Sequence, residues 1–279
     1  MKKYIKPQVW DKNNANMGGK FASINRDISG ATHEAKLPLG DNPLQLYSLG
    51  TPNGKKVTIL LEELLLLGIK EAEYDAYYID ILKGDQFSTG FVDINPNSKI
   101  PALLDTTNGV KSFESSSILI YLAEKFQQFI PKDLDARTQC FNWLFWSHGS
   151  APIIGGGFGH FFNYAPEEFE YPINRFSMEA RRLFDVLDRR LANNKFLAGD
   201  EYSIADIAAY PWYGQLALGN LYYGADKFLK THEYKNVLRW AQDISKREAV
   251  IRGLKVNRSE EGSIKERHNS SDIDRVLTK

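Results

Sequence analysis

Three short stretches of the 279-residue chain carry residue types that chemistry needs at spacings that chemistry can use. The first is Thr51-Pro52-Asn53-Gly54. As plain turn chemistry it reads as an N-cap, a proline at the first helical position and a permissive glycine. The same geometry aims hydroxyl and amide donors at a helix N-terminus, where an anion is stabilised and a thiolate has its pKa lowered. The second is Asn97-Ser98-Lys99-Ile100-Pro101-Ala102-Leu103. Proline at the head of a strand is ordinary, because the first ladder position can lack an N–H. The functional alternative is a cis Ile100–Pro101 bond whose bend offers the Ile100 backbone to a peptide-like ligand. The third is Glu114-Ser115, just before a helix. Ser115 or Ser116 serves as an N-cap on one reading. On the other, the free N–H groups and the Ser hydroxyl take a carboxylate, and Glu114 takes an ammonium.

Other features carry less. Gly155-Gly156-Gly157-Phe158-Gly159 lacks the spacing of a dinucleotide loop and does not follow a strand. With Pro152 it is expected to break a long helix. The five histidines show no metal-ligand spacing, so no metal is expected. Cys140 sits among Phe141, Trp143, Leu144, Phe145 and Trp146 and reads as a core thiol rather than a nucleophile. As the one cysteine, it excludes an internal disulfide, a zinc site built of several cysteines and a Cys-x-x-Cys redox pair. Ser203-Ile204-Ala205-Asp206 is a capping-box pattern with Asp in the place of Glu.

These stretches need elements to position them. Residues 44–49 alternate and read as a strand, and 55–67 recur at helical spacing up to Gly68, a C-cap signal. A strand is expected over 74–81, and 85–97 is ambiguous. Residues 100–104 and 110–113 pair around Thr-Thr-Asn-Gly, and a helix follows over 115–126. After Pro131 the pattern is helical, with helices predicted over 135–147, 172–192, 204–218 and 235–247. The organisation is therefore an N-terminal arm (1–43), an α/β domain (44–128), an all-helical domain (134–254) and a tail (255–279). Trp10, Phe21 and Ile24 suggest that the arm lies on the body. The charged tail reads as a second arm or a disordered segment.

Thirty-five Lys+Arg balance thirty-five Asp+Glu, which argues against a non-specific nucleic-acid binder. The start lacks the apolar run of a secretory signal, and 59–67 is too short and too charged to span a bilayer. The reading is a soluble, cytoplasmic protein with no membrane partner.

The order of these parts resembles the cytosolic glutathione transferases: strand–turn–helix, then Asn-Ser-Lys-Ile-Pro-Ala-Leu, Phe-Glu-Ser with its helix, and an all-α half with a Ser-x-x-Asp box. Leu46-Tyr-Ser-Leu-Gly-Thr-Pro-Asn-Gly54, the long arm and Gly155-Gly-Gly-Phe-Gly-His160 resemble the bacterial nu class, relatives of the yeast nitrogen regulator. The resemblance implies a thioredoxin-like domain followed by a helical domain, a homodimer, and glutathione as co-substrate, two molecules per subunit. It implies glutathione-dependent disulfide reduction without a protein cysteine. Thr51 and Asn53 would act at the sulfur beside Pro52, with Tyr47 and Ser48 as second choices. Ile100 would meet the cysteinyl backbone, Glu114 and Ser115 the γ-glutamyl end, and Gln86 and Lys99 the glycyl end. Asn25, His148 and Arg175 align with contacts to the glutathione pair. Position 148 departs from the pattern, since Gln is expected there, and an imidazole would make that contact pH-sensitive. The alternatives are conjugation of glutathione to electrophiles, peroxide reduction, or a non-catalytic glutathione-binding regulator.

Overall fold

The computed structural model describes residues 5–14 and 19–278. Four strands form one mixed sheet: β1 (Leu44–Ser48), β2 (Tyr74–Tyr78), β3 (Ala102–Asp105) and β4 (Val110–Phe113), in the order β2-β1-β3-β4. β1 and β2 are parallel with Leu44 opposite Tyr74, so the connection must cross over, and helix α1 (Pro52–Leu66) does this. β3 runs antiparallel to β1 with Leu46 opposite Leu103, and β3 and β4 form the expected hairpin with Asp105 opposite Val110. The sheet's two faces follow the period of two. Leu44, Leu46 and Leu103 pack with α1 and helix α3 (Ser115–Phe126). Tyr47 and Ala102 face the other way, onto Phe91 and Ile94 of α2 (Thr89–Ile94). The ambiguous stretch thus resolves into a single turn and a short helix, started by Ser88, whose Oγ accepts from Phe91 N at 3.3 Å.

In the helical half, α4 (Leu134–Pro152) does not break at the glycine run. It widens into a π-helical segment, Ile153–Tyr164. The reason lies in packing. A Cβ on Gly155, Gly157 or Gly159 would meet the rings of Trp212, Phe176 or Tyr222 at 2.6, 2.4 or 2.2 Å. The glycines seat three aromatic rings, and the expectation of a helix break is corrected. α5 (Glu170–Ala192) follows, burying Leu183, Leu187 and Leu191 while Val186 stays half-buried. The helix expected over 204–218 is divided into α6 (Ile204–Ala209), a π turn (Tyr210–Gly214) and α7 (Gln215–Ala217). Pro211 has no N–H to give, so the regular ladder cannot run through it. Then come α8 (Ala225–Phe228), α9 (Lys235–Ser245) and α10 (Glu248–Gly253). Ser203 and Asp206 form the capping box: Ser203 Oγ accepts from Ala205 N at 3.3 Å and Asp206 Oδ2 accepts from Ser203 N at 3.2 Å.

Of the two readings of the segment from Lys255 onward, a second arm or a disordered segment, the structure shows the first: it packs on the body. Ala76 and Arg267 exchange both backbone hydrogen bonds, 2.8 and 3.1 Å, and so cover the open edge of β2. The fully buried Arg267 donates to Glu62 of α1 at 2.9 Å, and the buried Arg252 donates to the same carboxylate at 2.8 Å. The segment ends in α11 (Ser270–Leu277), capped by Asn269. Sequence reading missed this because buried ion pairs look, residue by residue, like a solvated charge run. Most of the described arm also lies on the body. Phe21 meets Tyr164 edge-on at 5.0 Å, and Thr89 N and Gly90 N donate to His33 O and Ala35 O. Trp10 remains more exposed than buried.

Candidate active site

The strand-to-helix turn after β1 is held from several sides. Thr51 caps α1, its Oγ1 accepting from Gly54 N at a long 3.4 Å, and Pro52 follows at the first helical position. Gly54 admits no side chain, because a Cβ would lie 2.0 Å from Leu49 O. Gly50 N donates to Asn257 O at 2.8 Å, and the Arg258 side chain fills the space where a Gly50 Cβ would stand. Asn53 Oδ1 accepts from Trp212 Nε1 at 3.0 Å.

This turn forms the boundary between two cavities. Thr51, Asn53, Glu114, Ser115 and Trp212 line both. The smaller, about 330 Å³, is polar and bounded by Gln86, Asn95, Asn97, Ser98, Lys99 and the cis Ile100–Pro101 pair. Gln86 Nε2 donates to Ile81 O at 3.1 Å, which leaves the buried Oε1 without a partner; Ser98 Oγ is likewise buried and unpaired. Buried polar atoms are normally satisfied, so these two are available to a polar ligand or to water. Asn95 Nδ2 donates to Lys99 O at 2.5 Å, and Asn97 Nδ2 donates to Glu114 Oε1 at 3.3 Å, tying the loop to the start of α3. Glu114 holds a left-handed φ of 63°, a conformation that non-glycine residues seldom adopt away from constrained sites.

The larger cavity, about 520 Å³, is walled by Phe21, Lys56, His148, His160, Tyr164 and Tyr222 among others. Its aromatic rings suit an apolar body, and the shared polar rim suits a charged end. His148 Nδ1 lies 3.2 Å from Ser116 Oγ, and its Nε2 is 4.0 Å from Glu114 Oε2. Lys56 donates to Ser115 Oγ at 3.3 Å from a buried position. Burial lowers the Lys56 ammonium to a pKa of about 7, with Glu114 pulling weakly the other way. Its neighbour Lys55 is lowered to about 8 by burial and by Arg258.

The structure therefore brings together Thr51, Pro52, Asn53, Gln86, Lys99, Ile100, Glu114, Ser115 and His148 on the walls of these cavities. Asn25 lines a separate hollow of about 370 Å³ that touches the polar cavity through Ile24 and Lys99. Arg175 lies on the exposed side of α5 and lines neither cavity, so within one chain it does not join His148 on the walls where the contacts to the glutathione pair were expected. Lys56 and Trp212 were missed. One signal was available for Lys56: two lysines in the first turn of a helix oppose the helix dipole and need a reason to be there. Trp212 had no local signal, since its partner is 159 residues away.

Cys140 is buried among the helices, its thiol pushed up by burial against weaker hydrogen bonds to Ser203 and Ala205, and it lines neither cavity. Among the described residues no group of three His, Cys, Asp or Glu is placed to hold a metal ion, and no helix is long and apolar enough to cross a membrane.

Comparison with known proteins places this fold in a family. Residues 52–125 match the glutathione S-transferase N-terminal domain and residues 170–243 the C-terminal domain. The disulfide-bond oxidoreductase YghU of Escherichia coli strain K12 is 59% identical over 271 residues, 95% of this chain and 93% of that protein. The crystal structure of glutathione transferase YghU from Streptococcus pneumoniae, complexed with glutathione, superposes with a TM-score of 0.89 at 56% identity, covering 91% of this chain and 97% of that one. A glutathione transferase of Burkholderia graminis with two glutathione molecules per subunit gives 0.70 at 39% identity over 77% of this chain and 88% of that one. A thioredoxin-like sheet domain and a helical domain, matched across nearly the whole length, place the chain in the glutathione S-transferase family.

Proposed function

We propose that the protein is a glutathione-dependent disulfide-bond reductase that gathers two glutathione thiols per subunit and uses no cysteine of its own. The observation that carries this is the placement of Thr51 and Asn53 at the start of α1, on the wall shared by the two cavities. A sulfur there faces a hydroxyl, an amide and the positive end of a helix, all of which favour its thiolate. In the polar cavity Ile100 meets the cysteinyl backbone. Glu114 and Ser115 take the γ-glutamyl end, and Lys99 and the unpaired Gln86 Oε1 take the glycyl arm. The second thiol enters from the aromatic cavity beside His148.

The reaction balances without a protein sulfur. The first glutathione thiolate attacks one sulfur of the substrate disulfide, forming a mixed disulfide and expelling the other sulfur as a thiolate. The second glutathione thiolate attacks the glutathione sulfur of that mixed disulfide and releases the remaining substrate thiolate. The substrate gains two electrons, the two glutathiones lose two and leave as their disulfide, and the product thiolates take the two protons given up. The protein supplies proximity and acidity. The buried thiol of Cys140 and the disulfide oxidoreductase relative support this reading. The chain is taken to work as a cytoplasmic homodimer.

A second reading, conjugation of glutathione to electrophiles, is favoured by one feature: the aromatic walls of the larger cavity. Rates with glutathione on 2-hydroxyethyl disulfide, chlorodinitrobenzene and cumene hydroperoxide decide the matter. Disulfide turnover well above uncatalysed exchange is expected to exceed the other two. Exchange no faster than in buffer refutes the proposal.

A further inference from the structure

The glycine run and the π turn converge on one residue that the reaction as described does not use. Trp212 projects from the π turn Tyr210–Gly214, and its ring occupies the space that a Cβ on Gly155 would need. Its indole nitrogen is 3.0 Å from Asn53 Oδ1. An indole N–H donates and never accepts. The atom of Asn53 facing it must be the carbonyl oxygen, and the amino group must point the other way. Among the described residues that Nδ2 has no hydrogen-bond partner, while Asn53 lines both cavities. An asparagine amide free to turn could also present its oxygen, and an oxygen repels a thiolate.

We infer that Trp212 is a positioning residue: seated by Gly155, it fixes the Asn53 amide so that Nδ2, rather than Oδ1, presents an N–H to the reacting sulfur. This deepens the proposed thiol site and rests on that reading. It assigns a purpose to the side-chain-free helix surface at Gly155, which would otherwise be a costly weakness in a helix.

The test is a double-mutant cycle on the full-length protein, with folding checked by circular dichroism and thermal unfolding. Trp212→Phe keeps a ring and removes the N–H. It is expected to lower kcat for disulfide reduction roughly three- to tenfold, the worth of one hydrogen bond. KM for glutathione should stay within about twofold. The pKa of bound glutathione, followed by thiolate absorbance, should rise. In an Asn53→Ala background the same substitution should change nothing, because there is no amide left to orient. Gly155→Ala, which displaces the indole, should reproduce the pattern if Trp212→Phe folds poorly. Unchanged kcat and thiol acidity in Trp212→Phe, with Asn53→Ala impaired, overturns the positioning role alone, and so does full additivity of the two losses. A silent Asn53→Ala overturns the thiol-site reading and this inference with it.

Discussion

Lys56 Nζ lies 3.3 Å from Ser115 Oγ, deep enough that burial brings the ammonium pKa down to about 7. A lysine whose charged form is disfavoured by burial thus waits beside the residue assigned to the γ-glutamyl carboxylate. An arriving carboxylate favours the charged form, so binding should draw a proton onto Lys56 above about pH 7. S-methylglutathione removes the thiol's own proton from the balance. Calorimetry near pH 8 in buffers of different ionisation enthalpy should show net proton uptake, and Lys56→Met should abolish it and weaken binding about tenfold or more. The sign for stability follows from the same shift. A folded pKa depressed from 10.5 to about 7 means that the unfolded chain binds the extra proton across that window. Stability therefore rises with pH from about 7 to 10, and Lys56→Met should flatten that slope.

Thr51→Ala and Asn53→Ala should each lower kcat about tenfold while KM for glutathione moves little, because the proposed site has both side chains act on the sulfur and not on the peptide ends. Steady-state kinetics on 2-hydroxyethyl disulfide checks this. Wild-type turnover in both variants would remove them from the mechanism.

Cys140→Ser should retain turnover. The new hydroxyl lies in a buried site, though within reach of Ser203 and the Ala205 N–H, so a loss of stability of about 1 kcal/mol is expected. Thermal unfolding together with an activity assay separates the two effects. A well-folded but inactive variant would return the thiol to the chemistry.

Ser203→Ala should destabilise by roughly 1 kcal/mol through loss of the cap. Asp206→Ala should cost more, on the order of 3 kcal/mol, because the carboxylate also accepts from Leu197 N and Trp240 Nε1 at 2.9 Å each, and both donors would be left buried and unpaired. Denaturant unfolding of the two variants gives the ranking, and equal losses would contradict it.

Glu62→Ala should also be damaging, on the order of 3 kcal/mol, since it removes the buried carboxylate that Arg252 and Arg267 share and leaves them with Asp274 and Glu73 as acidic partners. Chemical unfolding measures it. A loss below about 1 kcal/mol would mean that Asp274 and Glu73 suffice for Arg252 and Arg267.

What could be read from sequence alone was local. The Thr51 turn, the Ser203–Asp206 box and the hairpin around Asn108-Gly109 each specify themselves through caps and backbone freedom within four or five residues. What could not be read was paired over distance. Glu62 and Glu63 looked like interruptions of an apolar helix, yet their partners are Arg252, Arg267 and Arg247. Those arginines in turn made the end of the chain look solvated. The glycine run was misread for the same reason: what fills the missing side chains is three rings from distant parts of the helical half, Phe176 of α5, Trp212 of the π turn and Tyr222 of the loop before α8. Arg175 was placed by resemblance alone, and nothing in its own helix turns it towards the cavities.

The pairing of Glu62 with Arg267 also sets an order of events during synthesis. The carboxylate leaves the ribosome 205 residues ahead of its guanidinium partner. Sheet domains placed first in a chain generally fold while the remainder is still being made. Here α1 carries a buried negative charge that finds its counterions, and a turn that finds its Asn257 anchor, after the helical half has been translated. Nascent chains arrested before Arg252 should hold the first domain in a loosened, protease-sensitive form. The Thr51 turn is then among the last parts of the molecule to become rigid, although it is among the first to be made.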